Sequence, residues 1–155
     1  MSLCQTGSVQ AIVTGPVNKE AVVLSGTPFT GHTEFIAELC GSDRARMLLV
    51  NDRLRVLHVT THCALREACA LTKEQITTTL RLGDEALRLL DAPNWRIAVC
   101  GLNPHAGEHG LFGDEEDHVI RPAVAEVCAG GIDCSGPFPA DTLFHRCQGA
   151  PKCRQ

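Results

Sequence analysis

The chain has 155 residues, 44% of them hydrophobic and 21% charged, with a formal net charge of −4. That length and balance suit one globular domain with a packed core and exclude a disordered or fibrous chain. The acidic balance without a Lys/Arg run argues against a nucleic-acid partner, no apolar stretch approaches a membrane span, and Met1–Thr6 has no leader-like region, so the expectation is a cytoplasmic protein.

In chain order the pattern alternates strands and helices. Val9–Val13 reads as a short strand ending at Thr14-Gly15-Pro16, and residues 17–24 have helical composition. A turn-rich loop over residues 25–31 precedes a helix over residues 34–39. Residues 47–50 and 54–59 are apolar runs separated by Asn51-Asp52-Arg53, which is hairpin spacing and predicts a mixed sheet. A short helix over residues 65–70 leads to a long one over residues 72–90, opened by the capping box Thr72-Lys73-Glu74-Gln75 and weakened in the middle by Gly83.

Residues 96–100 form a strand and residues 101–113 a Gly/Pro-rich loop. Residues 114–129 read as a helix whose acidic first turn suits its dipole, with a kink expected at Arg121-Pro122. A final strand near residues 132–134 leads into a turn that holds Asp141. The sum is a layered α/β domain over residues 1–146, with residues 147–155 as a tail without periodicity.

Cysteine is not expected to carry the chemistry. There are nine cysteines, an odd number, and no two make a C-x-x-C pair. Cys100 reads as a small buried hydrophobe, and Cys128 and Cys134 flank a turn, so reduced structural thiols are predicted.

Three histidines stand instead in loops at element ends: His32, His62 and His105. Neutral imidazole is the commonest protein ligand of a catalytic divalent metal, and such sites collect on loops. His105 lies in the Gly-rich loop, whose glycines are expected to let a ligand approach the backbone and meet free N–H groups. His62 suits a ligand or a hydrogen-bonded structural residue equally well. His32-Thr33 opens a helix, where free N–H groups attract phosphate, although Thr33 also suits a plain N-cap. Asp141 reads first as a turn residue bonding its own backbone. Lys19 can offer charge to an anion, with a solvated lysine as the default. No G-x-G-x-x-G dinucleotide fingerprint is present.

Several strings together resemble the 4-hydroxythreonine-4-phosphate dehydrogenase family of pyridoxal phosphate biosynthesis. They are Val13-Thr14-Gly15-Pro16-Val17-Asn18-Lys19, Pro28-Phe29-Thr30-Gly31-His32-Thr33-Glu34-Phe35, Thr60-Thr61-His62, Gly101-Leu102-Asn103-Pro104-His105-Ala106-Gly107-Glu108 and Pro139-Ala140-Asp141-Thr142-Leu143-Phe144. The wording around residues 54–61 and 132–137 is nearer to the branch that oxidises 4-phospho-threonate or 4-phospho-erythronate.

The resemblance implies an isocitrate/isopropylmalate dehydrogenase-like fold, a layered α/β/α arrangement with a mixed sheet, here incomplete. It further implies a homodimer with the site between subunits, using NAD and a divalent metal (Zn, Mg, Mn or Co) to oxidise and decarboxylate a phosphorylated hydroxy acid. Position by position, His62 and His105 match two of the family's three metal histidines. His32 and Thr33 match its substrate-binding pair, and Asp141 an active-site carboxylate. The residues that contact NAD are not identified.

The family's Tyr-His-Asp-Gln-Gly string with the third histidine, much of its nucleotide-binding region and its Gly-Asp-Pro-Ala-Gly motif have no counterpart here. The expectation is therefore an incomplete chain with little or no turnover alone. Two rival readings are a non-catalytic binding module keeping a phosphate site at His32-Thr33, and a metal-dependent hydrolase using His62, His105 and Asp141 around one ion.

Overall fold

The computed structural model describes residues 2–90 and 95–149, and the chain divides into one unit up to Ala45 and another from Arg46 onwards. The first unit holds α1 (Ser2–Gln5), α2 (Lys19–Leu24) and α3 (His32–Leu39). Asn18 caps α2, its Oδ1 accepting the Ala21 N–H at 3.0 Å. The expected strand at residues 9–13 does not form. Its backbone is irregular and its apolar side chains are exposed, Val13 at 97%. A strand is completed by a partner ladder, and among the described residues none pairs with this segment.

The second unit opens with β1 (Leu48–Val50) and β2 (Arg55–Leu57), paired antiparallel as the hairpin spacing predicts. Asn51 holds the turn, its Oδ1 accepting the N–H groups of Arg53 and Leu54, both at 2.8 Å. After α4 (Leu65–Ala68) comes α5 (Lys73–Leu89). Its capping box is closed: the Thr72 N–H donates to Gln75 Oε1 at 2.8 Å and the Gln75 N–H to Thr72 Oγ1 at 3.3 Å.

Gly83 has a packing purpose in this helix. A Cβ there would stand 3.0 Å from Leu57 Cδ2 and 3.7 Å from Ile97 Cδ1, so the bare backbone lets α5 lie against residues of both strand pairs. What the helix loses in propensity it recovers in close approach.

Then follow β3 (Ile97–Cys100), a tight turn over Pro104–Glu108, a π-helical turn over Glu116–Ile120, α6 (Arg121–Ala129), β4 (Cys134–Phe138) and α7 (Ala140–Gly149). The break expected near Pro122 is present as the change from π to α geometry just before it. Proline has no N–H to continue the ladder, so the preceding turn widens instead. Asp141 is in the first turn of α7, not in a free turn, and α7 takes in residues 147–149 of the expected tail. The rest of that tail, residues 150–155, lies outside the described residues.

Both pairing senses of a mixed sheet occur, but among the described residues they form two separate strand pairs. β3 and β4 run parallel, with Ile97 opposite Cys134, Ala98 opposite Ser135 and, after a bulge, Cys100 opposite Phe138. The core joins α5, α6 and β4: Ile76 and Leu80 meet Ile120, Ala123, Val124, Val127 and Cys134, all buried. The result is an α/β fold whose parallel pair is backed by helices.

The bulge depends on Gly136. Its φ is +138°, and a Cβ would fall 2.5 Å from the Val99 carbonyl oxygen, a backbone atom that cannot swing aside. Gly136→Ala is therefore expected to destabilise the protein by about 2 kcal/mol or more, from left-handed strain plus the clash. Urea unfolding of both proteins checks this, and equal midpoints would contradict it.

Candidate functional site

Two of the sequence-predicted residues lie at the same edge of the parallel pair. The carboxyl end of β3 runs into the loop that carries His105, and the carboxyl end of β4 runs through Pro139 into α7 and Asp141. The Gly101 N–H donates to the Phe138 carbonyl at 2.8 Å, so the pairing reaches the start of the loop. The Pro104–Glu108 turn packs against α7 and β4. Open α/β sheets bind ligands outside the carboxyl ends of their strands, and both residues occupy that position.

The loop is held from inside by a carboxylate the sequence reading did not single out. Glu116 is 2% exposed, and its Oε1 accepts the N–H groups of Leu102 and Asn103, both at 2.7 Å. Its Oε2 accepts from Asn103 Nδ2 at 2.8 Å, and the same amide donates to Glu115 Oε2 at 2.7 Å.

The glycines serve this network. A Cβ on Gly101 would stand 3.0 Å from Glu116 Oε1, one on Gly107 2.7 Å from Glu116 Oε2, and one on Gly113 2.5 Å from Asn103 Nδ2. This corrects the expectation of a backbone open to a ligand at those points. The N–H groups of residues 102 and 103 are engaged by Glu116. Burial pushes the Glu116 carboxyl up, but the bonds from Asn103 and Leu102 outweigh it and hold the group below its ordinary 4.5.

What the loop turns outward is His105. Its backbone is left-handed, φ +54°, and so are its neighbours Ala106 at +55°, Glu108 at +43° and His109 at +58°. His62, beyond the end of β2, has φ +52°. Non-glycine residues adopt this region at a cost of about 1–2 kcal/mol each, and such residues gather at ligand sites. Both histidines are exposed, and the His105 ring lies 6.0 Å from that of Phe112. His58, by contrast, is a satisfied structural residue, its Nδ1 3.3 Å from the Met47 carbonyl.

In the first unit, His32 and Thr33 are the first two residues of α3, and Gly31 is its N-cap without a side-chain cap bond. Thr33 is thus not the cap, and the N-cap position itself offers no side chain to the first turn. The His32 ring meets Phe29 edge-on at 5.5 Å between centroids. Lys19 Nζ lies 3.9 Å from where a Gly31 Cβ would stand, and Glu34 Oε2 lies 2.6 Å from the same point. A cation and a carboxylate therefore both border the start of α3. Among the described residues there is no group of three or more His, Cys, Asp or Glu placed to hold a metal ion. Nor, among them, is any helix long and apolar enough to cross a membrane.

Glu116 was legible in one respect. Counting from it, the buried positions 120, 123, 124 and 127 recur at helical spacing, so a carboxylate sits on an apolar stripe. Because its pKa is lowered on folding, its stabilisation is fully present above the ordinary value and is lost as pH falls through the lowered one. Glu116→Gln should cost about 1.5–3 kcal/mol at neutral pH, since an amide turns a donor toward Asn103 Nδ2. The gap should narrow as the pH falls below the ordinary 4.5 and through the lowered pKa, since protonated Glu116 has the same defect. Urea unfolding across an acid pH series checks this; a gap of constant size would contradict it.

Comparison with known proteins accords with this geometry. The family described as "Pyridoxal phosphate biosynthetic protein PdxA" matches residues 1–151. A "4-hydroxythreonine-4-phosphate dehydrogenase" of Beijerinckia indica is 46% identical over 147 residues, 93% of this chain and 43% of that protein. A "D-threonate 4-phosphate dehydrogenase" of Salmonella typhimurium is 46% identical over 143 residues, 92% of this chain and 44% of that protein. The crystal structure of a 4-hydroxythreonine-4-phosphate dehydrogenase from Klebsiella pneumoniae superposes with a TM-score of 0.85 at 45% identity, covering 96% of this chain and 45% of that one. The chain thus spans less than half the length of these relatives. By profile, sequence and fold it belongs to the PdxA family of pyridoxal phosphate biosynthetic proteins.

Proposed function

We propose that this chain is part of an NAD- and metal-dependent dehydrogenase that oxidises, and then decarboxylates, a four-carbon hydroxy acid bearing a terminal phosphate. That class includes both substrates named for its relatives, 4-hydroxythreonine 4-phosphate and D-threonate 4-phosphate. The observation that carries the reading is the shared left-handed backbone of His62 and His105, the two residues that the sequence resemblance assigns to the metal. Such strain persists where the surroundings over-determine it, and presenting an imidazole to a ligand is a reason to keep it.

The roles divide by residue. His62 and His105 supply neutral imidazole nitrogens, two ligands of a divalent ion of Zn, Mg, Mn or Co. A bound ion would supply polarisation of the substrate's secondary alcohol, and NAD would supply the hydride acceptor. Asp141, in the first turn of the helix that packs on the His105 turn, orients the substrate hydroxyl and accepts its proton at a carboxylate oxygen. The start of α3, with His32, Thr33 and the Lys19 ammonium, binds the phosphate. The active species is a homodimer whose site lies between subunits.

That no group of three or more His, Cys, Asp or Glu among the described residues is placed to hold a metal ion supports a second reading, a binding module that keeps the phosphate site and does not turn over. Binding measurements separate them. Calorimetric titration of the 155-residue chain with Mn²⁺ or Co²⁺ should give weak binding. His62→Ala or His105→Ala should each weaken it by about 10-fold or more, as expected when one of few ligands is removed. Binding that neither variant alters would defeat the metal assignment. NADH formation from either phosphorylated acid should be near background for this chain alone. Phosphate-ester binding without NAD binding would favour the module.

A further inference from the structure

At the far end of β4 from Asp141 two sulfurs lie unusually close. Cys128 is exposed in the last turn of α6, and Cys134 is buried at the first residue of β4. Their Sγ atoms are 3.0 Å apart, inside van der Waals contact, and the Cys128 thiol donates to the Cys134 carbonyl at 2.9 Å. The intervening reversal is tied by the Gly131 N–H to the Cys128 carbonyl at 3.0 Å and the Ile132 N–H to the Val127 carbonyl at 3.3 Å. Folding itself therefore sets the two sulfurs side by side.

We propose that Cys128 and Cys134 form a reversible dithiol–disulfide pair, closed by a hydroperoxide and reopened by a thiol reductant. A disulfide sulfur pair sits at about 2.05 Å, so closure needs the two sulfurs to approach by about 1 Å. The order of events follows from exposure. The Cys134 thiol is pushed up to about 12 by burial, by its bond with Cys128 and by Asp133, so it stays protonated at neutral pH. Cys128 faces solvent and meets the oxidant first.

The Cys128 sulfur gives up its proton and attacks one peroxide oxygen, the O–O bond breaks, and the leaving hydroxide takes up that proton and departs as water, with Cys128 left as the sulfenic acid. The Cys134 sulfur then attacks the Cys128 sulfur. The S–S bond forms, the S–O bond breaks, and hydroxide departs as water with the Cys134 proton. In sum two thiols and one hydrogen peroxide give one disulfide and two waters, with two electrons passing from sulfur to peroxide. The proposal does not rest on the metal and phosphate assignments, since it uses none of the residues named for them.

Peptide mapping of the intact chain tests this. After a hydrogen peroxide pulse and alkylation under denaturing conditions, cleavage before aspartate separates Cys128, in residues 117–132, from Cys134, in residues 133–140. The expected result is a linked pair of these peptides as the dominant disulfide, absent after dithiothreitol and absent in Cys128→Ser. Recovery of alkylated Cys134 while other cysteines are oxidised, or linkage of Cys134 to a different cysteine, would overturn the proposal. Mapping of the native sequence decides the outcome by itself, so the test does not depend on how Cys128→Ser folds.

Discussion

The site rests on a buried anion that has been given enough donors. Taking a carboxylate out of water is costly, and Glu116 is almost fully enclosed. Two backbone N–H groups and the Asn103 amide offset that cost, each charge-assisted bond contributing about 1.5–3 kcal/mol. The lowered pKa of the group says which side wins: the bonds outweigh the desolvation. Because two of those donors belong to the backbone just past β3, the carboxylate fixes the direction in which the chain leaves the sheet. It lies on the π-helical turn that begins the path into α6, so one side chain joins the end of β3 to the start of the helix that backs it.

Much of this architecture was written in local signals. The Thr72–Gln75 capping box, the hairpin around Asn51-Asp52-Arg53 and the strand before the Gly-rich loop depend on residues a few positions apart, and all three stand in the fold. Residues 9–13 failed as a strand because a ladder needs a partner that no local pattern supplies. Gly83 looked like a weak point because its worth lies in Leu57 and Ile97, distant in sequence. Asp141 read as a turn because the prolines around it mark a boundary, and proline opens helices as readily as it closes them.

The Gly-rich loop is the most instructive case. Its glycines were read as room for a ligand, and three of them make room for Glu116 and Asn103. A loop stiffened from within can hold four non-glycine residues in left-handed conformations, with His105 among them facing outward. Rigidity of the support, more than openness of the backbone, is what lets a loop present a ligand at a fixed angle.

The same reasoning separates the two ends of the α6–β4 segment. At the carboxyl edge the parallel pair delivers a histidine and a carboxylate on chain segments that pack together, with a polar network behind them. At the other edge, a short reversal sets two thiols against each other on top of an apolar core that includes Cys134 itself. A two-stranded parallel pair has little stability of its own, because its slanted bonds are few and its edges open. Here the helices supply what the ladder does not. Ile76 and Leu80 from α5 and Val124 and Val127 from α6 enclose one side of the pair, and Glu116 ties the helix start back to the strand end. Packing therefore positions the strands, the strands position the loop, and the loop positions the imidazole. A disturbance of Glu116 reaches His105 by a shorter route than one in the core, since it acts on the last of these steps alone.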